Sequence, residues 1–303
     1  METLQPPVQT SDQSSRLSAV STRRFLRGAR RANWKMTVGL VLILSLVLLA
    51  VLGPAFVDRS GLRLGSGPYS KPPSAENPLG TESAGRDILT MIVYAMAPTL
   101  TIGLVAGGVG TVIGVILGLV TGYYRGPIDT IIRTVADVLL AIPTLLIMVV
   151  IAAYIATDVS TMALIIAIFS WPWTARTIRS QTLSLRERQY VEMAKLSGSN
   201  DWEILLTELM PNLLPYIIAG LVGSISGGIL AAVGLQLLGL GPLDPPTLGL
   251  MLHNSFQYAA LYRGLWWWWL PPTLILATLF IGLFLISLSL DEIANPRLRS
   301  VKS

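Results

Sequence analysis

The sequence predicts an all-α, polytopic membrane protein with six transmembrane helices. Three observations carry that expectation. Of 303 residues, 52% are hydrophobic and only 13% charged, roughly half the charge of a typical soluble domain. The apolar residues gather into six long runs. Lys and Arg then concentrate between alternate runs, the asymmetry of a chain threaded through a bilayer.

The first 35 residues, 1–35, form a basic N-terminal segment. Met1 to Ser21 is rich in Ser, Gln and Pro and reads as disordered. Arg23, Arg24, Arg27, Arg30, Arg31 and Lys35 alternate with Phe25, Leu26 and Trp34, so this stretch can lie on an anionic leaflet, as a surface helix or without structure. A nucleic acid is not the expected partner, because a membrane span follows at once. Met36–Val57 is a 22-residue apolar run, enough to cross ~30 Å of hydrocarbon. It lacks the small-residue cleavage site of a signal peptide.

Five more runs, 97–123, 128–156, 161–178, 212–238 and 267–290, complete a transmembrane domain over 36–290, with a tail at 291–303. Six crossings put both termini on one side. Of the 22 Lys and Arg, 17 lie on that side, and only Arg59, Arg63, Lys71, Arg86 and Arg263 lie on the other. The termini and the 179–211 loop are therefore expected in the cytoplasm, and the loops 58–96 and 239–266 outside.

The second span carries Gly110, Gly114, Gly118 and Gly122 at intervals of four, a smooth face suited to close helix packing. The fifth carries Gly220, Gly223, Gly227, Gly228 and Gly234. The third contains Pro143 and Asp137, an intramembrane carboxylate that can serve an ion pathway or simply pair with Arg133 one turn away. Arg176 and Arg179, ending the fourth, suit lipid phosphates at the inner interface. Trp266–Trp269 open the last span as an aromatic belt, with stacking on a sugar ring as the sharper alternative.

The most polar stretch runs from Arg186 to Pro211 and reads as a helical hairpin between the fourth and fifth spans. Tyr190, Val191, Met193, Ala194 and Leu196 mix with charged residues until Gly198, where a left-handed residue can close a helix. Asn200 and Glu203 form a capping box for the next helix. Trp202, Leu205, Leu206 and Leu209 fall on one apolar stripe, and Pro211 is expected to stop it. A charged, folded hairpin between spans suggests a docking surface.

The chemistry that is missing narrows the function. The chain has no Cys and one His, His253, so no disulfide framework, thiolate chemistry or multi-histidine metal site is available. None of its four lysines lies in a phosphate-binding G-x-x-x-x-G-K-[ST] loop. No catalytic residue, cofactor or metal site is expected; the chain is not an enzyme, and energy must arrive from a partner.

Several of these stretches resemble one family. Glu192-Met193-Ala194, Gly198, Leu209 and Pro211 look like the cytoplasmic "EAA" loop of ABC importer permeases, with Met193 replacing the first alanine and Met210 placed between Leu209 and Pro211. Asn77 to Asp87 resembles the "HPLGTDxxGRD" signature of the dipeptide, oligopeptide and nickel branch, with Asn77 in the place of His. Trp171 to Arg179 is similar to its "SWPxYARxxR" pattern, Leu238 to Pro246 to its "FLGLGxxPPxPxWGxML" pattern, and Asp291 to Arg299 to its "DPRLR" ending.

The resemblance implies a type I ABC importer permease fold in a prokaryotic plasma membrane. It implies Tyr190, Glu192, Ala194, Gly198, Leu209 and Pro211 as an ATPase-coupling loop. The implied partners are a second, homologous permease subunit, two ATP-binding subunits and an extracytoplasmic solute-binding protein, with ATP bound by the partners. The implied cargo is a di- or oligopeptide or an oligosaccharide, with nickel as an alternative; the shortened outer loop and the Trp run favour the sugar. The rival class is an ion-coupled secondary transporter working through Asp137, which would need inverted repeats that the sequence does not display.

Overall fold

The computed structural model describes residues 11–155 and 158–294, with side chains from 34 to 155 and from 158 to 292. The expectations for Met1 to Thr10, for the side chains before residue 34 and for the tail from Asn295 lie outside the described residues. Among the described residues the regular secondary structure is helical, with one isolated β-bridge between Thr81 and Asp87.

α1, Ser11–Phe56, is a single helix. Disorder expected to Ser21 is therefore replaced by helix from Ser11, a stretch without proline until Pro54. α2, Ile88–Tyr124, is the central pillar and starts well before the expected Ala97. Asp87 caps it, accepting from the Thr90 N–H and hydroxyl, both at 2.8 Å. Its first turns bury Ile88, Met91, Ile92 and Met96, so apolar burial extends the helix into what hydropathy assigned to the 58–96 loop. Asn77 Nδ2 donates to Asp87 Oδ1 at 3.0 Å. The Asn that departs from the family pattern thus supplies a donor that holds the capping carboxylate.

The expected third span is not straight. α3, Gly126–Ala141, and α4, Thr144–Tyr154, meet at an 83° bend. Pro143 causes it: Ile142, just before the proline, is driven to extended backbone at φ −86° and ψ 136°. α5, Val159–Leu185, runs back along α2. Asp137 pairs with Arg176 of α5 rather than with Arg133. Beside it, Arg179 grips Asp129 with two bonds, Nε–Oδ1 at 2.5 Å and Nη2–Oδ2 at 2.7 Å. The two arginines expected at lipid phosphates are instead rungs joining α5 to α3.

The glycine ladder packs closely, as expected, and the structure shows its partner to be α5. A Cβ added at Gly114 would lie 2.7 Å from Thr174 Cβ and 2.8 Å from the Trp171 carbonyl; at Gly118 it would lie 2.7 Å from the Ala175 carbonyl. α6, Gln189–Leu196, and α7, Asp201–Glu203, form the hairpin. α8, Met210–Leu237, crosses next, then α9, Leu248–Gln257, and α10, Trp266–Ala294.

The 239–266 loop contains a buried helix that hydropathy did not reveal. α9 packs Leu248 and Met251 into the core. Its polar end is satisfied: Thr247 Oγ1 donates to Gln236 Oε1 at 2.9 Å, and Leu248 N–H donates to Thr99 Oγ1 at 3.0 Å. Two of the four belt tryptophans make contacts within the fold, one of them fully buried. Trp268 is fully buried against Tyr258, and Trp267 donates its indole N–H to the Thr81 carbonyl at 3.3 Å.

By length and composition four described helices can cross a membrane, namely 34–56, 88–124, 201–237 and 266–292, and a fifth if α3 and α4 are one broken span. α5 is the remaining candidate of the six. It spans 27 residues but carries Ser170, Trp171, Pro172, Trp173, Thr174 and Arg176, which dilute its apolar character. Ser170 serves contact with α2, its Oγ donating to the Ala106 carbonyl at 3.1 Å.

Candidate functional site

The hairpin beside the Tyr124 end of α2, the Leu185 end of α5 and the Met210 end of α8 is built by two stop–start signals. α6 ends at Gly198, whose φ of +85° lies in the left-handed region. Gly198 N–H donates to the Lys195 carbonyl and Ser199 N–H to the Ala194 carbonyl, both at 3.1 Å, the paired bonds of a Schellman closure. A Cβ at Gly198 would meet nothing within 4 Å. Glycine is required there by backbone conformation and not by space. Asn200 Oδ1 accepts from Glu203 N–H at 2.9 Å and starts α7.

α7 does not stop at Pro211. It widens into a π-helical segment, Ile204–Leu209, and continues as α8. The Met210 N–H donates to Leu205, five residues back. A proline at 211 lacks its N–H and collides with the carbonyl four residues earlier in a normal helix; the widened turn relieves that collision. The π turn also rotates the helix face. Ile204, Leu205 and Leu209 are fully buried, whereas Trp202 and Leu206, expected on the same stripe, are 64% and 55% exposed.

Burial fixes the hairpin to the bundle. Val191, Ile204, Leu205, Leu209 and Leu213 pack with Val115, Leu119 and Tyr123 of α2 and Ile178 of α5. Each fully buried side chain contributes roughly 1.5–3 kcal/mol relative to exposure, so this is a seated element and not a loose loop. Polar contacts add direction. The Tyr123 hydroxyl donates to Asp201 Oδ1 at 2.6 Å, and Arg186 donates to the Tyr123 carbonyl. Arg125 meets Glu187 at 2.8 Å on the exposed rim, where an ion pair adds little stability. Tyr123→Phe removes one bond of about 1 kcal/mol. It is expected to speed hydrogen exchange in 186–203 without altering the transmembrane helices.

The opposite side of the hairpin is apolar and uncovered. Tyr190, Met193, Leu196, Trp202 and Leu206 are all exposed, Leu196 by 78%. Partial burial pushes the Tyr190 phenol above its ordinary pKa. Glu192 is exposed, and its carboxylate makes no hydrogen bond or ion pair among the described residues. Of the expected site residues, Tyr190, Glu192 and Gly198 thus lie at the surface, Ala194 is half-buried, and Pro211 opens α8. Leu209 is an internal anchor and touches no outer surface. Met193, Leu196, Trp202 and Leu206 were not singled out from sequence as one face, although Met193 and Leu196 sit three residues apart, a helical-face spacing.

A family model described as "Binding-protein-dependent transport system inner membrane component" matches residues 114–300. The chain belongs to that family. The matched part contains the hairpin, the α3–α5 arginine rungs and α8 to α10. The chain is 31% identical over 284 residues to a dipeptide transport system permease protein of Alkalihalophilus pseudofirmus, covering 93% of this chain and 92% of that one. It is 34% identical over 240 residues to a glutathione transport system permease protein of Shigella flexneri, covering 76% and 77%.

Among solved structures, a chain of the MetNI methionine ABC transporter in inward-facing conformations matches with a TM-score of 0.51 and 19% identity, over 67% of this chain and 94% of that chain. That likeness establishes a shared fold. The ion-coupled alternative finds no such support. Asp137, on which it depended, is half-exposed and already paired with Arg176.

Proposed function

We propose that this ABC importer permease conducts peptides and is driven through the 186–211 hairpin by separate ATP-binding subunits. The observation that carries the reading is the two-sided hairpin: one side is locked into α2, α5 and α8, and the other presents Tyr190, Met193, Leu196 and Trp202 with nothing over them. A large exposed apolar face on a rigid element marks a protein interface. Exposed Glu192 adds a negative group for a basic partner residue. The wealth of Lys and Arg on this side supports a cytosolic position and cytosolic termini.

The complete importer comprises this chain, a second homologous permease, two ATPase subunits and a solute-binding protein at the far face, in a prokaryotic inner membrane. ATP closure of the ATPase pair moves the hairpins, and the helix bundles alternate their opening. For the cargo, relatives named for dipeptides, peptides and glutathione outweigh the sugar reading. The sugar reading draws on the Trp run, yet Trp268 is fully buried and the half-buried Trp267 spends its indole N–H on the Thr81 carbonyl.

The test is uptake into vesicles holding the reconstituted complex, with peptides of two to five residues and with maltooligosaccharides. ATP-dependent peptide uptake, unaffected by collapse of ion gradients, is the expected result. Uptake that follows an ion gradient without ATP, or sugar uptake alone, contradicts it.

A further inference from the structure

Between α2, α3 and α5, at the end of the bundle that bears the hairpin, lies a cavity of about 280 Å³ lined by Thr121, Arg133, Asp137, Arg176 and Arg179 among others. Three guanidiniums border it. Arg176 and Arg179 are each committed to an aspartate, Asp137 and Asp129. Arg133 is exposed and makes no hydrogen bond or ion pair among the described residues. Three arginines against two carboxylates leave one positive charge in surplus, with all five N–H donors of Arg133 available.

The faces of α3 show which environment this cavity meets. Ile128, Ile131, Val135 and Val138 are all exposed, by 46% to 64%, at helical spacing, an apolar stripe suited to lipid. At 100° per residue, Arg133 and Asp137 lie on the opposite side of the helix. The charged cavity therefore turns away from the acyl chains.

α5 links this cavity to a second one. Ser170, Trp173 and Arg176 follow one another at three-residue steps, and Ser170 and Trp173 border a cavity of about 260 Å³ with Gly223, Ser224 and Gly227. That upper cavity has no ionisable lining residue. A solute moving along α5 towards the hairpin leaves neutral hydroxyls and bare glycine backbone and next meets guanidiniums.

We propose that the Arg133 cavity is an exit-side site for the carboxylate of the transported solute, a free peptide C-terminus in particular. It rests on the transport reading above and assigns to Arg133 the charge-assisted contact that orients the departing solute. The Arg176–Asp137 and Arg179–Asp129 pairs flank it and fix the cavity wall.

The native chain has no cysteine, so Ile132→Cys gives this subunit a single thiol at the cavity wall. In the reconstituted complex an anionic thiosulfonate reagent is expected to label it about tenfold faster than a cationic one of the same size. Arg133→Gln should abolish that preference and Arg133→Lys should keep it. The shortest imported peptide, at millimolar concentration, should slow labelling, and its C-terminal amide should not.

An unreactive thiol, labelling without charge preference, or equal protection by acid and amide overturns the proposal. Protection by glycerol phosphate and not by peptide assigns the site to a lipid headgroup and overturns it too. A wild-type complex that imports no peptide refutes the transport reading instead. Peptide import without protection refutes this site alone.

Discussion

Gly198→Val is expected to leave the chain inserted and assembled while ATP-driven uptake falls by at least about tenfold and ATP hydrolysis continues. The left-handed backbone at 198 costs an L-residue roughly 1–2 kcal/mol, and more for a β-branched one. That is too little to unfold a bundle held by many buried side chains. It is enough to open the two Schellman bonds and change the angle at which α6 meets α7. No Cβ clash occurs there, so Gly198→Asn, which tolerates the left-handed region, should restore most uptake. Comparing ATPase rate with uptake in the same vesicles checks both. Normal uptake by the valine variant would sink the coupling role of the hairpin.

Gly114→Val should act differently, by removing the folded chain from the membrane. The added atoms meet Thr174 Cβ at 2.7 Å and the Trp171 carbonyl at 2.8 Å, and the second contact is backbone. Overpacking a tight seam costs about 1–3 kcal/mol even where side chains can shift, and here α2 and α5 must separate. The expected outcome is a large fall in the amount and thermal stability of purified complex. Gly223→Ala is the matched control: a Cβ there meets nothing within 4 Å, so stability should stay within about 0.5 kcal/mol of wild type. Equal effects at both positions would show that the glycine seam is not what joins these helices.

The parts of this molecule that were legible in the sequence are those with local causes. Gly198 and Asn200 mark the hairpin corner because left-handed closure and side-chain capping depend on one residue each. The four-residue glycine repeat marks the α2–α5 seam because only backbone contact makes that spacing useful. What escaped depends on distant partners. Arg176 finds Asp137 across 39 residues, and no spacing rule connects them. α9 is too short to stand out by hydropathy, and its place in the core depends on Gln236 and Thr99. The π turn escaped for a subtler reason. It adds a residue to one turn, so a stripe counted at 3.6 residues loses phase, and Trp202 is assigned to the wrong side.

The seating of the hairpin on α2 has a geometric consequence. At about 1.5 Å per residue the 37 residues of α2 make a rod of about 55 Å. Pivoting that rod at its Tyr123 end shifts the Asp87 end by about 1 Å for every degree of tilt. Asn77 and, through Thr81, Trp267 are pinned at that far end. Any tilt of α2 imposed at the hairpin would therefore be felt most at this pinned end.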